Sequence, residues 1–131
     1  MTTYLSAEDA ERIHATILKN SGGLDGLRDR NLLLSALDAP KATFSGHEMY
    51  PTIADKAATY LYHLIKNHPF NDGNKRTAYV VVFTFLEAND VQPHFTKEEL
   101  EEAAVLVAEN QMSKGEVLTF FRGSYVSSDR G

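Results

Sequence analysis

Nine consecutive residues hold most of the reactive chemistry in this chain: His68-Pro69-Phe70-Asn71-Asp72-Gly73-Asn74-Lys75-Arg76. Imidazole titrates near neutral pH and can take a proton from an attacking hydroxyl, which makes His68 a candidate general base. Asp72 is a candidate magnesium ligand, because that ion prefers oxygen donors and bridges to substrate phosphates. Gly73 lets backbone approach an anion with no Cβ in the way. Asn74 can cap a helix or donate its amide, and Lys75 and Arg76 add two cations. Together these are the parts of phosphoryl or nucleotidyl transfer, a chemistry of positioning and charge stabilisation. Each residue also has a plainer use. A histidine before proline ends a helix, Asp72 and Asn74 are common caps, and lysine–arginine pairs are usually solvated. Contiguity at one helix start favours the functional reading, with Phe70 assigned to packing as the anchor of the loop.

The elements that must position this segment read as helices almost throughout. Ser6 with Asp9 opens a first helix whose face is Ala10, Ile13, Ile17 and Leu18, and Gly22-Gly23 closes it. Asp29 caps a shorter second helix carrying Leu33, Leu34 and Leu37, stopped before Pro40. Lys41–Pro51 has no helical period and reads as a loop or a short two-stranded flap containing Phe44, Ser45, Gly46 and Tyr50. Thr52 caps a third helix with Ile53, Ala57, Leu61, Leu64 and Ile65 inward, ending near Asn67. Thr77–Ala88 is apolar nearly all round; valine runs favour strands, but its length favours a central buried helix. Thr96 with Glu99 and Ser113 with Glu116 form capping boxes for helices over 97–110 and up to Phe121. The expectation is an all-α bundle of about six helices around a central buried helix, with the flap before the third. Residues 1–123 form one domain in this reading, and 124–131 a polar tail in which Tyr125 and Val126 dock.

Composition narrows the partners. Of 131 residues, 13 are basic and 18 acidic, for a formal charge of −5, which argues against a surface built to cover nucleic acid or an anionic membrane. There is no cysteine, so disulfides, thiolate metal sites and cysteine nucleophiles are excluded. No leader-like segment opens the chain, and the longest apolar run, Ala78 to Leu86, is far too short for a membrane span. A cytoplasmic protein without direct nucleic-acid or membrane partners is expected. His63 and His68 are five apart and cannot share a helical face as a zinc pair. His14, His47, His63 and His94 read as incidental.

The nine residues resemble the signature of the Fic/Doc family in its death-on-curing (Doc) branch, His-x-Phe-x-Asp-(Gly or Ala)-Asn-Lys-Arg, with each defined position matched. Gly22-Gly23, Gly26-Leu27-Arg28-Asp29, Leu32-Leu33, Ser35-Ala36-Leu37, Tyr50-Pro51 and Lys56-Ala57-Ala58 are similar to the family's flanking sequence. The resemblance covers roughly residues 4 to 90. It implies a small helical domain with the motif in the loop before the central helix. It also implies a toxin that uses ATP to phosphorylate a threonine of elongation factor Tu, restrained by a small antitoxin that folds on binding. By the same resemblance His68 is the general base, and Asp72 orients the histidine or binds Mg2+. Gly73, Asn74, Lys75 and Arg76 hold phosphates, and the flap aligns the target's backbone.

Classical Fic members instead transfer AMP, with Gly-Asn-Gly-Arg followed two residues later by a second arginine. Here Lys75 stands at the second glycine and Tyr79 at the second arginine, which removes a bidentate phosphate clamp. Kinase activity is therefore favoured over the AMP transferase alternative, and a catalytically inactive Fic-like binding module is the third reading. Self-restraining Fic proteins carry Ser/Thr-x-x-x-Glu-Gly/Asn. The nearest match here, Glu109-Asn110, has Val105 at the hydroxyl position, so control by a separate antitoxin fits better.

Overall fold

Among the described residues, five of six helices begin where a side-chain oxygen meets the free amides of the first turn. Ser6, Thr96 and Ser113 each form a reciprocal capping box with Asp9, Glu99 and Glu116, while Asp29 and Thr52 cap singly. The computed structural model describes residues 1–123, so the tail with Tyr125 and Val126 lies outside the described residues. The helices are α1 (Ala7–Ser21), α2 (Arg30–Asp38), α3 (Ile53–Asn67), α4 (Asn74–Ala88), α5 (Lys97–Ala108) and α6 (Lys114–Arg122). A single 3-10 turn, Ala39–Lys41, follows α2. The architecture is all-α apart from a hairpin of two-residue strands, β1 (Thr43–Phe44) and β2 (His47–Glu48). Among the described residues no helix is long and apolar enough to cross a membrane.

The flap is therefore a hairpin, with Thr43 opposite Glu48 and Phe44 opposite His47. Ser45 (φ 51°) and Gly46 (φ 80°) both turn left-handed, as the favoured two-residue hairpin turn requires.

The valine-rich segment is helical, but the central place belongs to α3 instead. That helix touches α2, the 3-10 turn, α4, α5 and α6, whereas α4 exposes Thr84, Glu87 and Ala88. The α3–α4 contact is built from Ala57, Leu61, Leu64 and Ile65 on one side and Ala78, Val81, Val82 and Phe85 on the other, all buried. Burying such side chains contributes about 1.5–3 kcal/mol each for the larger ones. On α2 the inner face is Leu33, Ala36 and Leu37, and Leu34 points outward at 39% exposure. In nine residues one apolar period cannot be told from its neighbour. Helix α5 ends at Ala108, two residues earlier than expected, because Asn110 turns left-handed.

Charged residues of α3 are also buried, which the apolar pattern does not reveal. Asp55 accepts from Arg122 Nε at 2.7 Å. Lys56, 1% exposed, donates to Glu48 Oε1 at 2.8 Å and to the Tyr50 carbonyl, fastening the flap to α3.

Candidate active site

Helix α3 stops where His68 turns left-handed (φ 52°, ψ 56°) ahead of Pro69. Its last carbonyls do not go to water. Arg28 Nε donates to the His68 carbonyl at 2.7 Å and Nη2 to that of Asn67 at 2.9 Å, charge-assisted bonds at the negative end of a helix dipole. The chain before α2 then pairs with the motif as a short antiparallel bridge, Leu27 opposite Phe70. Arg28 and Asp29 N–H both donate to the Pro69 carbonyl (2.7 and 3.0 Å), and Asn71 N–H to that of Gly26 (3.1 Å).

Inside the loop, Asn74 closes a ring on Phe70. Its Oδ1 accepts the Phe70 N–H and its Nδ2 donates to the Phe70 carbonyl, each at 3.0 Å and both buried. Phe70 is 2% exposed and stacks on His14 of α1, centroids 3.9 Å apart. His14 Nε2 lies 2.7 Å from the Asp72 carbonyl. A β-carbon on Gly23 would come within 2.9 Å of Asp72 Oδ2, so glycine is what lets the α1–α2 connection pass the motif.

What this scaffold presents is a cleft of about 540 Å3, a usual size for a small-molecule site. Leu18, Ile65 and Ala108 supply apolar wall; Lys66, His68, Asp72, Gly73, Asn74, Lys75 and Arg76 supply its polar groups. The His68 ring is exposed, and among the described residues it has no hydrogen-bond or ion-pair partner. The same holds for the Lys75 and Arg76 side chains. Helix α4 alone among the six starts without a side-chain cap, on a left-handed Gly73. The amides of Asn74, Lys75 and Arg76 thus have no intrahelical acceptor, the arrangement that binds phosphate. Three cations share the cleft with one carboxylate, so it is locally positive in a chain of net charge −5.

The structure gathers His68, Asp72, Gly73, Asn74, Lys75 and Arg76 on one cleft and shows what else holds two of them. No hydrogen bond joins the Asp72 carboxylate to the His68 ring. Asp72 accepts instead from Gly73 N–H at 2.9 Å and Leu24 N–H at 3.4 Å. The Asn74 side chain is spent on Phe70, which leaves its backbone to face a ligand. The flap residues Phe44, Ser45, Gly46 and Tyr50 do not line the cleft. Tyr50 is turned to α6, where Lys114 Nζ reaches its hydroxyl and ring.

Asp72 suits magnesium in one respect, as an exposed carboxylate beside cations and free amides. Among the described residues no group of three or more metal-ligating side chains exists. An ion held by one carboxylate would take its remaining ligands from phosphate and water, which is magnesium's habit.

Three contributors escape sequence reasoning. Lys66, on the rim, donates to Asn110 Oδ1; its place two residues before His68 was a usable signal. Arg28 could be noticed only through the flanking resemblance. His14 is buried and engaged rather than incidental, and nothing local marks it. Tyr79, at the place of the missing second arginine, is held up in pKa by burial and by its hydrogen bond to Glu101 of α5.

The family model described as Fic/DOC family matches residues 4–86. The chain is 44% identical over 92 residues to Toxin Doc of Mycolicibacterium smegmatis, covering 70% of this chain and 68% of that protein. It is 30% identical over 126 residues to the Protein kinase doc of Escherichia phage P1, 96% of this chain and 98% of that protein.

Proposed function

The chain belongs to the Fic/DOC family, and from that premise we propose that it is the toxin of a toxin–antitoxin pair. Its reaction is transfer of the γ-phosphate of ATP to a protein hydroxyl. A threonine of elongation factor Tu is the target that the resemblance suggests, and blocked translation the result. The observation that carries this reading is an unpartnered, exposed imidazole on the same cleft as an uncapped helix start and three cations.

His68 takes the proton of the incoming hydroxyl as its oxygen forms a bond to the γ-phosphorus. The bond from that phosphorus to the β–γ bridging oxygen breaks, and ADP leaves. Lys66, Lys75, Arg76 and the first amides of α4 hold the phosphates and the charge that grows on them. Asp72 would hold a magnesium ion, which when bound neutralises phosphate charge. Tyr79 supports γ- over α-phosphate transfer, because a phenol at the place of the second arginine adds no second clamp for the polyphosphate.

ATP labelled on either the γ or the α phosphate, incubated with the protein and elongation factor Tu or a cell lysate, tests this directly. Protein-bound γ label is the expected result. Protein-bound α label would mean AMP transfer, and neither label would leave a binding module.

A further inference from the structure

His14 lies outside the nine-residue motif and outside the cleft lining, yet it is 3% exposed and touches the motif loop twice. Its ring is nearly parallel to that of Phe70, 9° between planes at 3.9 Å. Its Nε2 is 2.7 Å from the Asp72 carbonyl oxygen. A carbonyl only accepts, so Nε2 carries the proton and donates. The imidazole also sits 3.6 Å from where a β-carbon on Gly73 would stand.

We infer that His14 is a positioning residue that sets the plane of the Asp72–Gly73 peptide, and through it the direction of the amides that open α4. A trans peptide points its C=O and N–H in opposite directions. Drawing the Asp72 carbonyl toward α1 therefore turns the Gly73 N–H away from His14, where Asp72 Oδ1 accepts it at 2.9 Å. Phe70 is fixed by the same imidazole and, from the far side of the loop, by the Asn74 amide. One buried ring thus ties the segment 70–72 to α1. The competing account is that the ring only fills space beneath Phe70.

The catalytic consequence rests on the phosphotransfer reading; the geometric one does not. His14→Phe keeps a flat ring against Phe70 and loses the donor. His14→Gln keeps an amide nitrogen near the place of Nε2 and loses the stacked ring. Positioning through the hydrogen bond predicts that His14→Phe lowers kcat about 10- to 100-fold with KM for the protein target unchanged. It also predicts faster hydrogen exchange at the hydrogen-bonded amides of Phe70 and Gly73 in nucleotide-free protein. His14→Gln should stay within about threefold of the parent in both readouts. A space-filling ring predicts the opposite order, with His14→Phe near the parent and His14→Gln impaired, and that result overturns the inference. Equal losses that track a shared fall in melting temperature overturn it as well. If the parent protein moves no γ-phosphate, the phosphotransfer reading fails while amide exchange still decides what His14 does.

Discussion

Two connections flank α3, residues 39–52 before it and 68–73 after it, and they are built on opposite plans. The motif loop before α4 has its backbone bound from all sides, by Arg28, the Leu27 bridge, Asn74 and His14, while the His68, Lys75 and Arg76 side chains stay free. The flap before α3 has two residues per strand, exposes Phe44 at 74% and Met49 at 52%, and is fastened to α3 by one buried lysine. Rigid backbone with free side chains is what positions reacting groups. A lightly fastened hairpin is instead a segment that can open without the core.

The sharpest way to break this comparison is at the imidazole. His68→Ala should lower phosphate transfer about 10²- to 10⁴-fold. The melting temperature should stay within about 2 °C, since the ring has no partner to lose. A large fall in stability would mean that the side chains of this loop are structural after all.

Next comes the backbone of the same loop. Asn74→Ala leaves the buried Phe70 N–H and carbonyl unpaired and should cost about 2–3 kcal/mol in chemical denaturation. An unchanged midpoint would show that the loop is not held as described.

A pH effect of about 1 kcal/mol should follow from His63, whose Nε2 faces Lys114 Nζ at 2.9 Å beside Tyr50. Burial, and behind it the Lys114 charge, pushes His63 down to about 4, against an ordinary value near 6.5. Between those values the unfolded chain binds a proton that the folded one refuses. Stability is thus fully present above about 6.5 and falls as pH drops toward 4, discounted here for partial exposure. In denaturation curves between pH 4 and 7, His63→Gln should flatten this limb.

The smallest effect is expected at the flap. Lys56→Met replaces a buried cation whose partner Glu48 is half-exposed, so global stability should move by less than about 1 kcal/mol. Protease cleavage within residues 42–49 should nevertheless accelerate. Global unfolding in its place would mean that the flap is part of the core.

Most of the helices were legible because their caps are local: three Ser/Thr–acid pairs spaced three apart, plus Asp29 and Thr52, mark five starts within a residue. The motif was legible for the same reason, its reactive groups being contiguous. What could not be read depends on distant partners. Asp55 and Arg122 are 67 positions apart, and His14 and Asp72 are 58 apart; neither pairing leaves any trace in local periodicity. The centrality of α3 was hidden likewise, because Asp55, Lys56 and Thr59 look solvent-facing until their partners are known. Asn74 and Asp72 are legible only in part, because one side chain cannot both clamp a loop and face a ligand. Composition does not say which it does.

The bare start of α4 has a consequence beyond chemistry. Where the other helices carry their own cap, this one leaves its first amides to any anion that settles over Gly73. Any such guest that avoids the unfolded chain adds RT ln(1 + [L]/Kd) to folding, about 2.7 kcal/mol at a hundred times Kd. With such a guest, the lifetime of this protein against proteolysis would follow its supply, and a thermal melt would gauge occupancy.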